Sequence, residues 1–79
     1  MKYEFTGETK EFNGRTLRRI RRISDGQVGG WIESEKNLSQ EGTCFVFEEA
    51  WIYGKACISG NAQVFGEVEV FGDAHIYGK

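Results

Sequence analysis

Residues Cys44 to Lys79 read CFVFEE AWIYGK ACISGN AQVFGE VEVFGD AHIYGK, six consecutive units of six residues. The first column is small or apolar throughout: Cys44, Ala50, Ala56, Ala62, Val68 and Ala74. The third is always β-branched: Val46, Ile52, Ile58, Val64, Val70 and Ile76. The fourth is aromatic at Phe47, Tyr53, Phe65, Phe71 and Tyr77, with Ser59 the one exception. The fifth is Gly54, Gly60, Gly66, Gly72 and Gly78, with Glu48 the one exception. Self-similarity at a short fixed period marks a repeat architecture.

Within a unit, the first four columns alternate with the two-residue period of a strand. Columns one and three, uniformly apolar, are expected to face inward, and columns two and four outward. Glycine in column five supplies a bend, because positive φ is open to it. Column six (Glu49, Lys55, Asn61, Glu67, Asp73, Lys79) is polar and suits an exposed corner. Three units closing one triangular coil would span eighteen residues and build a left-handed parallel β-helix. That architecture resembles the hexapeptide-repeat proteins, many of which are acyltransferases. In those proteins a small residue or glycine directly follows the inward aliphatic, whereas here an aromatic follows it and glycine comes one later. The fold class read from this stretch is all-β: a short parallel β-helix of two to three coils with an N-terminal β-hairpin cap.

Working outward from Cys44, steps of six reach Leu38 and then Ile32, so the repeat can begin at Ile32 with irregular units. Trp31 is then expected to pack over the first coil. Ser24-Asp25-Gly26 and Gly29-Gly30 bracket a loop. It lacks the lysine-serine and the following helix of a phosphate-binding loop. Thr16 to Ile23 carries Leu17, Ile20 and Ile23 at spacing three, which suits a helix as well as a strand. Asn13-Gly14 just before it is a hairpin signal and favours the strand. Lys2 to Thr6 alternates as a short strand, and Gly7 to Lys10 reads as a turn. The organisation expected is a hairpin and capping segment over 1–30 and the repeat over 31–79, in one compact domain.

Seventy-nine residues bound a small core. The net charge of −2 supplies neither a nucleic-acid-scale basic field nor a strongly acidic mimic of DNA. No apolar run approaches the roughly 20 residues of a membrane helix. Two cysteines, and an N-terminal segment that does not read as a signal peptide, point to free thiols and a cytoplasmic protein. Cys44 falls in an inward column and Cys57 in an outward one, which argues against a disulfide between them.

Arg15, Arg18, Arg19, Arg21 and Arg22 crowd eight positions. They read either as a patch for phosphate or an acidic partner or as a solvated strand balanced by nearby glutamates. No aromatic interleaving among them supports base stacking. The single histidine, His75, would stack over Cys57 in an eighteen-residue coil. The two could form a nucleophile–base pair, but no third group orients the imidazole, and one His and one Cys are too few for a metal. No catalytic residue, cofactor or metal is therefore assigned.

The outward aromatics are more informative. In the same coil Phe47 would stack with Phe65, Tyr53 with Phe71 and Ser59 with Tyr77, and column two adds Phe45 and Trp51. These rings, ringed by Lys55, Glu67, Glu69 and Asp73, are candidate partner-binding residues, with Arg18, Arg19, Arg21 and Arg22 as a second candidate contact. A repeat that runs in register to Lys79 leaves an uncapped coil. This points to a homodimer through that coil or an aromatic face.

GGWIESEKNLSQEG, followed by aromatic-valine-aromatic and units of the form A-x-I/V-Y/F-G-x, resembles uncharacterised phage and enterobacterial proteins. These share a short basic-hydrophobic N-terminal segment, a GGWIESE-type junction and a run of such repeats; longer relatives are labelled putative acyltransferases. The resemblance spans essentially all 79 residues and implies a β-helix of mobile-element origin, with no catalytic residues carried over. The aromatic faces point to a non-enzymatic module that binds a host protein or complex, or itself; the resemblance gives this the concrete form of a steric inhibitor of a bacterial defence complex such as an anti-CRISPR protein. The alternatives are a minimal hexapeptide-type acyltransferase using His75 and a nucleic-acid binder using the Arg15–Arg22 strand.

Overall fold

Columns two and three of every unit form the strands of the repeat, and each strand pairs in parallel with the one three units later. In the computed structural model, which describes residues 1–78, these strands are β4 (Phe45–Val46), β5 (Trp51–Ile52), β6 (Cys57–Gly60), β7 (Gln63–Val64), β8 (Glu69–Val70) and β9 (His75–Gly78). The register is Phe45 with Gln63, Trp51 with Glu69, and Cys57 with His75, an offset of eighteen each time. The chain is all-β, with one short 3-10 turn at Glu35–Asn37. Lys79, placed in the sixth column, lies outside the described residues.

Upstream, β1 (Tyr3–Phe12) and β2 (Arg15–Arg22) form an antiparallel hairpin, and β2 pairs antiparallel with β3 (Val28–Ile32). Parallel pairing of β3 with β5 and of β5 with β8 completes a mixed five-stranded sheet, β1-β2-β3-β5-β8. The other two sheets are the parallel pairs β4-β7 and β6-β9. Strands therefore lie in three layers: β3 with Leu38, then β4 to β6, then β7 to β9.

Asn13 and Gly14 both take positive φ (48° and 77°), the twist-matching turn that their dipeptide announces. The turn expected at Gly7 to Lys10 is instead an irregularity inside β1: pairing shifts between Phe5 and Thr9, and Gly7 at φ 102° absorbs it. Gly29 and Gly30, expected in a loop, are buried in β3. A Cβ there would lie 2.4 Å from the Val46 carbonyl oxygen at Gly29 and 2.5 Å from that of Ala50 at Gly30. These glycines are needed for close approach to the next layer, not for turning.

Ile32 and Leu38 do join the repeat, but two columns away from the expected place. They pair with Ile52 and Ile58 of column three, at an offset of twenty. The two extra residues lie in the segment between Leu38 and Val46, so counting back from Cys44 misassigned the column. The corner before that segment is held by Asn37, a fully buried polar side chain. Its Oδ1 accepts from the Glu33 and Ser34 amides (3.0 and 2.8 Å), and its Nδ2 donates to the Gly54 and Ala56 carbonyls (3.2 and 2.8 Å).

The core runs through the layers on column three. Ile32, Val46, Ile52 and Ile58 are wholly buried, Val64 and Val70 keep 7% exposure, and Ile76 is only half-buried. At the hairpin end, Tyr3 and Ile20 close the core over Leu38, Cys44 and Phe45. The Tyr3 hydroxyl donates to the Leu38 carbonyl at 2.5 Å. At the opposite end, column one fails as an inward column. Val68 is 46% exposed and Ala74 is exposed, because no layer among the described residues lies beyond β7 to β9.

Candidate interaction surface

Column four behaves as its composition predicts, as two ladders of stacked rings. Phe47 lies on Phe65 with centroids 4.8 Å apart and planes 5° apart; Tyr53 lies on Phe71 at 5.4 Å and 10°. Ser59 is the register partner of Tyr77. Eighteen-residue periodicity forces this stacking, since equal columns superpose when consecutive layers pair in register. The upper rings are covered: Phe47 and Tyr53 are half-buried. The lower ones are not: Phe65, Phe71 and Tyr77 are 55%, 57% and 69% exposed.

Column two departs from its expected outward role at Phe45, which is fully buried. Phe45 packs edge-on against Phe47 at 5.0 Å, and the Arg22 guanidinium lies 5.0 Å above its ring. It is part of the cap, not a free contact. Trp51 is half-buried for a related reason: Phe12, from the hairpin, meets its ring at 4.8 Å.

The arginine strand turns out to be engaged within the molecule. Arg15 pairs with Glu33 (2.8 Å) and lies over Tyr53 (5.5 Å). Arg19 lies over Trp31 (5.1 Å) and reaches Glu49 (3.5 Å). Arg21 pairs with Glu4 (2.6 Å), and Arg22 with Asp25 (2.8 Å). That last pair, with the Gln27 amide, holds the Asp25 carboxyl down to about 2. Arg18 forms no ion pair among the described residues and lies 5.3 Å above the Phe5 ring. The aromatic interleaving absent from the sequence around these arginines is supplied by other strands, and its purpose is intramolecular.

Sequence reasoning missed Lys10 and Phe12. Lys10 sits over both Trp31 (4.5 Å) and Trp51 (4.7 Å), with Glu49 at 3.9 Å. Their strand was read as ending at Thr6, so nothing placed them near the repeat. The exposed Val68 was missed as well, because its column is inward wherever a following layer covers it.

His75 and Cys57 are register partners across β6 and β9. The histidine is exposed, the cysteine half-buried, and both cysteines are free thiols. Among the described residues, no three His, Cys, Asp or Glu side chains converge as metal ligands would. Among the same described residues, no helix is long and apolar enough to cross a membrane.

Among the described residues, the part of the repeat left uncovered is therefore the β7–β9 layer: three exposed rings, the free sides of three strands, and Glu67, Glu69 and Asp73. Met1, Ile23 and Val28 are the large apolar side chains exposed outside the repeat. No protein-family model matches this chain. Nor does any curated protein match it.

Proposed function

We propose that the three parallel ladders constitute a short β-helix and that this rigid coil is a non-enzymatic protein-binding module. The observation that carries the reading is the β7–β9 layer, where Phe65, Phe71, Tyr77 and Val68 are all exposed. Large rings held in register by stacking lose little entropy on binding and bury much area, the character of interface hot spots. The arginines support the module from within, since most of them fasten the hairpin to the coil. The narrower reading, a steric inhibitor of a bacterial defence complex, draws on the resemblance of the GGWIESE junction to phage proteins and on a mode of action that needs surface alone.

The experiment is a capture from bacterial lysate with the whole chain and with a Phe65→Ser/Phe71→Ser/Tyr77→Ser variant. A stoichiometric protein partner held by the first and lost by the folded second is the expected result. A partner retained by the variant, or none held by either, overturns the reading.

A further inference from the structure

We propose that the free edge of β8 takes an extended segment of a partner protein as an added strand, with a cation, a β-branched residue and an aromatic ring in successive positions. This rests on the protein-binding reading above and names the chemistry of the partner. Three features of the edge set the three positions.

The backbone sets the extended form. Trp51 and Tyr53 donate their amides to the Val68 and Val70 carbonyls of the following layer, at 2.9 and 3.0 Å. Glu69 and Phe71, which repeat Trp51 and Tyr53 eighteen residues on, aim theirs the same way. Among the described residues β8 has a neighbour on one side only, β5. Strand addition satisfies such a row of donors and acceptors.

The side chains set the pattern. A cleft of about 260 Å³ beside β8 is lined by Glu49, Trp51, Glu67 and Glu69. Residues 62–78 contain no lysine or arginine, and among the described residues Glu67 and Glu69 form no ion pair. One layer up, the molecule fills the equivalent position itself: Lys10 lies against Trp51 at 4.7 Å with Glu49 at 3.9 Å. A partner's lysine or arginine repeats that arrangement. The next position lies over Val70, where the ladder of Ile32, Ile52 and Val70 calls for a β-branched side chain. The third lies over Phe71 and extends the Tyr53–Phe71 stack. The first and third share a face about 7 Å apart, as alternate strand residues do.

A second copy of this chain is the poorer occupant. Face to face it opposes Glu67, Glu69 and Asp73 to their own copies, and all of its hairpin arginines but Arg18 are already paired with carboxylates.

The test titrates the isotope-labelled full chain with acetyl-Thr-Arg-Ile-Phe-Thr-amide, the reversed core Phe-Ile-Arg, and both with glutamate in place of arginine. Backbone amide signals are the readout. Expected is a saturable shift confined to Glu67–Asp73 with one arginine peptide, its order giving the strand direction, and none with glutamate peptides. Glu69→Lys, and separately Glu67→Lys, weakens the binding about tenfold, while Glu41→Lys leaves it unchanged.

Equal binding of arginine and glutamate peptides, no shift at Glu67–Asp73 up to about 2 mM peptide, or shifts in the hairpin instead overturns the inference. So does a dimer in solution that Glu69→Lys dissociates, because the edge then serves a second copy. If these fail while the triple serine variant still loses its lysate partner, the protein-binding reading stands and only the partner's chemistry is wrong.

Discussion

Glu48 stands where the repeat elsewhere places glycine, and it adopts the glycine conformation all the same, with φ of 60°. An L-residue in the left-handed region pays roughly 1–2 kcal/mol in steric conflict with its own backbone. Glu48 is exposed, so no packing offsets that cost. Glu48→Gly is expected to stabilise the fold by up to about 1 kcal/mol in urea unfolding, the added unfolded-state entropy of glycine limiting the gain. Asn37 shows the opposite economy, with all four of its polar capacities used. Asn37→Ala is expected to cost roughly 3 kcal/mol, since it strands the Ser34 amide and the Gly54 and Ala56 carbonyls at a buried corner, while the Glu33 amide keeps the Ile52 carbonyl. Tyr3 carries a pH dependence. Burial first, then the nearby Glu35 and Cys44 charges, raise its phenol well above the ordinary value of 10.0. The folded state thus holds this proton more tightly than the unfolded chain does. The stability is intact below about 10 and is lost as pH rises from there toward the raised value. Urea midpoints taken between about pH 8 and pH 11 are expected to fall less steeply for Tyr3→Phe than for the natural chain.

At the scale of elements, legibility followed periodicity. The six-residue pattern placed all the strands from β4 to β9 and predicted the Phe47–Phe65 and Tyr53–Phe71 stacks, because a column in a regular parallel array has one fate. Phe65, Phe71 and Tyr77 lie outside and Val64 and Val70 inside, as the alternation requires. It failed where neighbours differ. Phe45 lies under the hairpin, Val68 and Ala74 lack a covering layer, and the two extra residues before Val46 shift Ile32 and Leu38 by two columns. None of these is a property of the unit itself. The candidate site was legible in part: its exposed rings came from the alternation, whereas the engagement of the arginines depends on contacts across the sheet that local sequence does not carry. Gly29 and Gly30 illustrate the ambiguity best, since a glycine pair signals a turn as readily as a tight approach. Gly30→Ala places a methyl group 2.5 Å from the Ala50 carbonyl oxygen and 2.7 Å from Val46 Cγ1. The expected loss is about 1–3 kcal/mol, measured by thermal unfolding, as β3 is pushed off β4 and β5.

For the whole molecule, charge and burial are graded along the same direction. Residues 1–30 hold seven basic and four acidic side chains, and residues 31–79 three and eight, so the hairpin part carries +3 and the repeat −5. Ion pairs between the two parts join Lys10, Arg15 and Arg19 to Glu33 and Glu49. Burial of column three declines away from the hairpin, from Ile32 and Ile52 at 0% to Val70 at 7% and half-buried Ile76. Each layer is stabilised by its neighbours, so the β7–β9 layer, with one neighbour among the described residues, is expected to open most readily. Native-state amide exchange tests this with the donors that bond between layers. The Trp31 and Glu33 amides, held by the Ala50 and Ile52 carbonyls, should exchange only through global unfolding. The Trp51, Tyr53 and Cys57 amides, bonded to the Val68, Val70 and Ala74 carbonyls, should exchange faster, through local release of the outer layer. A bound strand at β8 would slow this second group selectively, because it supplies the missing neighbour without touching the hairpin. Uniform protection across both groups would mean that the layer is held as firmly as the core and has no need of a covering partner.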